Sequence, residues 1–173
     1  MYRLATWVIN RDSQLFYYIN RSCRGNTLNW LMPWVTELGG PIFTVFSSLI
    51  FYVVGKGPLN KAAFDAMMAL VFSHVAAHFV KRFITRPRPY LVLPGAYTVE
   101  FPLKDPSFPS GHTTAAFSLA VAYSLHFPIL TAPLVLLAVA TGFSRVYLGL
   151  HYPSDVVMGA LFGSIAALLS FSI

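Results

Sequence analysis

Residues 129–173 read ILTAPLVLLAVATGFSRVY, then LGLHYP, then SDVVMGALFGSIAALLSFSI, the link running from Leu148 to Pro153. Each flanking run is apolar over roughly the 20 residues that a helix needs to cross a hydrocarbon core of about 30 Å. Arg145 is the one charge in the first run and Asp155 the one charge in the second, and both stand next to the link rather than in mid-run. Two crossings joined by so short a link bring their facing ends together. Arg145, His151 and Asp155 therefore share one side of a bilayer.

The pattern repeats upstream. Ser110–Phe127 and Ala62–Val80 read as further crossings, and Trp34–Val54 as another, interrupted near its start by Gly39-Gly40-Pro41. The expected fold is all-α: an integral membrane helical bundle of five crossings, with room for a sixth, forming one domain over residues 28–173. Residues 1–27 set Arg3, Arg11 and Asp12 among apolar and aromatic residues, which predicts a helix lying in the interface. That segment is too polar for a signal peptide. Tyr17, Tyr18, Trp30 and Trp34 suit an interfacial belt. Gly159 and Gly163 form a small-xxx-small pair, read first as packing within the bundle and second as a dimer face. The oligomeric state stays open.

Composition agrees. With 56% hydrophobic residues, 10% charged and a mean hydropathy of +0.62 over 173 residues, the chain lies outside the range of ordinary soluble domains. The net charge of +6 gathers near predicted span ends, which points to an anionic lipid surface or substrate rather than nucleic acid. Cys23 is the single cysteine, so there is no intrachain disulfide framework.

Residues 84–109 contain six prolines and form the one long loop. Counting crossings puts Lys81 and Arg88, then Pro109–His112, then Arg145, His151 and Asp155 at one end of the bundle. Arg88, stiffened by Pro87 and Pro89, offers a guanidinium fork to phosphate oxygens. Ser110 suits a helix N-cap, and Gly111 lets a ligand approach the free N–H groups of the first turn. Asp155, four residues after His151, can accept the imidazole Nδ1–H and present Nε2 to a substrate. Three cations, two imidazoles and a helix start supply phosphoryl transfer with no metal or other cofactor. His74 and His78, at i and i+4, read as a polar stripe lining the bundle interior, with metal ligation as the lesser alternative.

Lys81 plus six residues to Arg88-Pro89, Pro109-Ser110-Gly111-His112, and Ser144-Arg145 plus five to His151 plus three to Asp155 together resemble the signature of the type 2 phosphatidic acid phosphatase superfamily. The resemblance covers residues 28–173. It implies His151 as a nucleophile forming a phosphohistidine, Asp155 as its orienter and His112 as the general acid. It also implies Lys81, Arg88, Ser110, Gly111 and Arg145 around the phosphoryl oxygens. His151 must then be neutral while His112 is charged, which predicts a bell-shaped pH profile.

Catalytic groups at span ends suit a lipid phosphate. Short chains of this kind resemble bacterial undecaprenyl diphosphate phosphatases, with phosphatidylglycerophosphate and phosphatidic acid as alternative substrates. Arg86 and Lys104 are candidates for a second phosphate. A phosphotransferase shares the same first step, and a noncatalytic lipid-binding protein would need only the cations. The family precedent places the site on the extracytoplasmic face of the plasma membrane. The charge bias opposes it, since all Lys and Arg except Lys56 and Lys61 fall on the site's side.

Overall fold

The structure, a computed structural model, describes residues 2–98 and 105–173, with side chains from Ile9 onward; over these residues it is helical and contains no strand. Helix α1 (Tyr2–Tyr17) runs into a π-helical turn (Tyr18–Ser22) and is followed by α2 (Asn26–Glu37), α3 (Pro41–Val54) and α4 (Pro58–Phe83). A single turn, α5 (Pro89–Val92), interrupts the long loop. Then come α6 (Gly111–His126), a 3-10 turn (Pro128–Leu130), α7 (Thr131–Tyr147) and α8 (Pro153–Phe171).

Three stretches among the described residues, α4, Pro128–Tyr147 and α8, are long and apolar enough to cross a membrane. Helices α2 and α3 meet at 51° and make a fourth if the bent pair is one span. The chain is a multi-pass membrane protein with three to four such spans, where the sequence reading counted five. The difference lies in α6, whose 16 residues rise only about 24 Å at 1.5 Å per residue. Helices α4, α7 and α8 all pack on it, so this short helix is the centre of the bundle rather than a wall facing lipid.

Small residues set the spacing. Ala62, Ala66 and Ala69 of α4 meet Ala115 and Ala122 of α6 and Ala167 of α8 in one buried cluster. A Cβ on Gly159 would come within 2.7 Å of the Ser110 carbonyl oxygen, and one on Gly163 would collide with that of Thr114. The glycine pair thus serves α8 against α6 inside the bundle. The α2–α3 break lies at Gly39-Gly40, and Pro41 opens α3 in the first turn, where its missing N–H costs nothing. Gly39 sits on the carbonyl of His112, leaving no room for a side chain.

Ile42, Val53, Ile129 and Leu136 face outward, as do Tyr18, Trp30 and Trp34. At the end of the bundle remote from Lys81, His126 Nε2 and Asp65 Oδ2 pair at 2.7 Å and join α6 to α4. Helix α1 docks through Phe16, fully buried beside Tyr152 and Val146, and through Asp12, which is buried at the start of α8.

Candidate active site

Helix α4 stops at Phe83 because Pro87 and Pro89 forbid helical backbone just beyond it. Arg88 takes φ −72° and ψ 149°, the polyproline II conformation, in which three residues complete a turn. Side chains two apart in such a segment diverge, and Arg86 and Arg88 do.

Arg88 is buried and points at the α7–α8 link. Its Nη1 donates to the Leu150 carbonyl at 3.0 Å and lies 3.2 Å from His151 Nε2. Its Nη2 donates to Asp105 Oδ1 at 2.8 Å. Lys81 Nζ donates to Asp105 Oδ2 and to the Pro106 carbonyl, both at 2.7 Å. One carboxylate thus bridges two cations. Partial burial alone would raise the Asp105 carboxyl, but the Lys81 hydrogen bond and charge, with Arg88, bring it from 3.8 down to about 2.

Arg86 turns the other way. Its Nη1 donates to Asp155 Oδ1 and Ser154 Oγ, both at 2.8 Å, and its Nη2 to Asp12 Oδ2 at 2.6 Å. Its guanidinium carbon lies 3.7 Å from the centre of the Tyr152 ring. The sequence reading placed Arg86 against a second phosphate; the structure spends its donors on the carboxylates behind the site. Lys104, its expected companion, lies outside the described residues.

His151 is buried in the link. Its Nδ1 lies 2.7 Å from the Ser107 carbonyl and 3.6 Å from Asp155 Oδ2. A carbonyl only accepts, so Nδ1 carries the hydrogen, and the neutral ring keeps its lone pair on Nε2, facing Arg88. The sequence reading gave this orienting bond to Asp155. In the structure Ser107 takes it, and Asp155 stands behind, accepting from the Tyr152 N–H at 2.9 Å and from Arg86. Burial first, then the charges of Arg145 and Arg88, lower His151 from 6.5 to about 4 against the opposing pull of Asp155.

Helix α6 begins at the same place. Ser110 caps it, accepting from the Thr113 N–H, while its own N–H donates to the Asp155 carbonyl at 3.1 Å. The space beside Gly111 is open, since a Cβ there would touch nothing within 4 Å. His112 lies within electrostatic reach of Arg145, His151 and Arg88. Arg145 is buried and donates from Nη1 to Thr36 Oγ1 at 2.7 Å, which ties the top of α2 to the site.

Lys81, Arg88, Ser110, Gly111, His112, Arg145, His151 and Asp155 therefore converge at one end of the bundle. Sequence reasoning missed Ser107, Asp105 and Asp12. Ser107 acts through its carbonyl, which no residue type announces; its nearness to Pro109 and His112 was the available signal. His74 and His78 are a correction: both are exposed on the outer side of α4 rather than lining the interior. Among the described residues, no group of three or more His, Cys, Asp or Glu is placed to hold a metal ion. A buried neutral imidazole whose Nε2 lone pair accepts from Arg88, beside cations and a helix N-terminus, is equipped to attack the phosphorus of a phosphate that takes over the Arg88 donor.

Residues 62–173 match the model of the PAP2 superfamily. A lipid A 1-phosphatase from Rhizobium johnstonii is 30% identical over 161 residues, 79% of this chain; the chain spans 64% of that relative's length. Undecaprenyl-diphosphatase BcrC of Bacillus subtilis is 28% identical over 153 residues, 87% of this chain and 77% of its own. The crystal structure of Aquifex aeolicus LpxE superposes with a TM-score of 0.83 at 32% identity, covering 92% of this chain and 94% of that one.

Proposed function

The chain belongs to the PAP2 superfamily, on its membrane lipid phosphatase branch, and from that premise we propose that it hydrolyses a lipid diphosphate or phosphate through a phosphohistidine, with undecaprenyl diphosphate as the preferred substrate. The observation that carries this reading is the state of His151: Nδ1–H donates to the Ser107 carbonyl, and the Nε2 lone pair accepts from Arg88, a donor that a phosphate oxygen can take over.

In the first step Nε2 of His151 attacks the terminal phosphorus. A P–N bond forms, the bridging P–O bond breaks, and His112 gives its proton to the departing oxygen. Water then attacks the phosphohistidine and gives a proton to His112; the P–N bond breaks and inorganic phosphate leaves. Lys81, Arg88 and Arg145, with the N–H groups at Ser110 and Gly111, hold the equatorial oxygens as charge redistributes. Asp155 favours the charged form of the imidazole. The site opens on the extracytoplasmic side, and α6 counts as the third of five crossings.

Undecaprenyl diphosphate is supported by the BcrC relative and by catalytic groups at span ends, where a headgroup phosphate meets them while its tail stays in lipid. A second reading, removal of a phosphate from lipid A, is favoured by the Rhizobium relative. Phosphate release by detergent-purified protein tests both, with chelator present and His151→Ala alongside. The panel holds undecaprenyl diphosphate, lipid A, phosphatidylglycerophosphate and phosphatidic acid. Release from undecaprenyl diphosphate, lost in the variant, supports the proposal; preference for another lipid reassigns the substrate. No release from any lipid by folded protein overturns the hydrolase reading, and transfer to an added acceptor lipid identifies a phosphotransferase instead.

A further inference from the structure

His74 and His78 are two polar residues of α4 that the proposed reaction does not use. They stand at i and i+4 on α4, and Lys81 follows one turn on, so the three share a stripe. Both imidazoles are exposed, among outward-facing Val71, Val75 and Phe79. Ionisable side chains in a membrane span ordinarily face the bundle interior or a polar pathway, because contact with hydrocarbon is costly. Two histidines on the outer side of a span call for a polar occupant.

The surface there is a groove of about 510 Å³ whose lining includes His74, His78, Phe79, Lys81 and Gly111. Lys81 and Gly111 also belong to the candidate active site, so groove and site are continuous. His74 lies within electrostatic reach of His112. From Lys81 to His74 the helix descends about 10 Å at 1.5 Å per residue, which leads away from the buried nucleophile and toward the hydrocarbon. A displaced lipid group must trail in that direction, because its tail is held by the membrane. His74 Nδ1 bonds the Leu70 carbonyl at 2.9 Å; in the protonated ring Nε2–H remains to donate to an anion.

We propose that this groove is a second phosphate site, in which His74 and His78 hold the leaving phosphate of a lipid diphosphate while Lys81, Arg88 and Arg145 hold the terminal one. The proposal rests on the phosphatase reading above and deepens it. It gives α4 the selectivity for diphosphate over monophosphate that the sequence reading assigned to Arg86 and Lys104.

Farnesyl diphosphate and farnesyl phosphate, which share one tail, are the probes. The full chain is compared with His74→Ala, His78→Ala, the double variant and the milder His74→Gln and His78→Gln. In the double variant KM for the diphosphate rises about tenfold with kcat kept, the pattern of lost ground-state binding, and both constants for the monophosphate hold, which also certifies the fold. Equal changes on the two substrates, or no change on either, overturn the site. A wild type active on the monophosphate alone overturns the site and leaves the phosphatase standing. A wild type inactive on these probes and on the lipid panel overturns both.

Discussion

Arg86 and Arg88 are two residues apart, carry the same charge and do opposite jobs. Arg88 faces the reacting end: Asp105, the Leu150 carbonyl and the Nε2 of His151. Arg86 faces inward and joins Asp12 of α1 to Asp155 of α8 beneath the Tyr152 ring. One group is poised for exchange, since the Asp105 side chain is 51% exposed; the other is closed, with Asp12 and Asp155 at 6% and 0%. Residue type and neighbourhood in sequence do not separate ligand-binding arginines from structural ones. The turn of an extended, proline-flanked backbone does.

The comparison can be broken at either end. The largest effect is expected where the lone pair is removed: His151→Ala lowers phosphate release by about 10³-fold or more, measured with any accepted lipid, and a smaller loss would move the nucleophile elsewhere. Next, Arg88→Ala lowers kcat/KM by about 10²- to 10³-fold through lost charge stabilisation, with the thermal midpoint changing less than in Arg86→Ala. Arg86→Ala is expected to reverse that balance. It leaves two buried carboxylates unpaired, a loss of about 3 kcal/mol of stability, seen in a detergent unfolding assay, and Asp12→Asn in the same background recovers part of it. If Arg86→Ala instead raises KM for diphosphates and leaves stability alone, the earlier second-phosphate role returns.

Acidity sharpens the contrast further. With His151 lowered to about 4, its ring is neutral above that pH and takes a proton below it. The free-enzyme profile of kcat/KM therefore falls on the acid side near pH 4 rather than near 6.5. In the substrate complex the phosphate charge favours the protonated form of His112, so loss of that proton supplies the alkaline limb of kcat, and a kcat profile flat from pH 5 to 9 argues against the acid–base division. The smallest effect belongs to Asp105. Its carboxyl is depressed to about 2, so its contribution to stability is full above about pH 4 and fades as the pH falls toward 2. Half exposed and screened by solvent, that contribution is under about 1 kcal/mol, as Asp105→Asn should show in the unfolding assay.

Much of this was legible in the chain, for local reasons. Apolar runs between turn residues located α4, α7 and α8, and Gly39-Gly40-Pro41 located the bend between α2 and α3. Fixed spacings around Lys81, His112 and His151 located the groups that converge. What escaped was long-range or carried by backbone. Asp12 meets Ser154 across 142 positions, and nothing near either residue announces the other. The Ser107 carbonyl holds His151 without a side chain to reveal it. The polar stripe at His74 and His78 was found, but its direction depends on which face of α4 the small residues of α6 and α8 occupy.

Asp105 sets the terms on which a ligand enters. Its carboxylate already answers Lys81 and Arg88, so an arriving phosphate exchanges one counter-anion for another instead of adding charge to a bare cationic cradle. The swap leaves the local charge little altered and frees a loop carboxylate to swing out into water. Affinity at that end should accordingly depend on ionic strength more weakly than three cations acting alone would suggest, and inorganic anions that cannot displace a tethered carboxylate should be poor inhibitors.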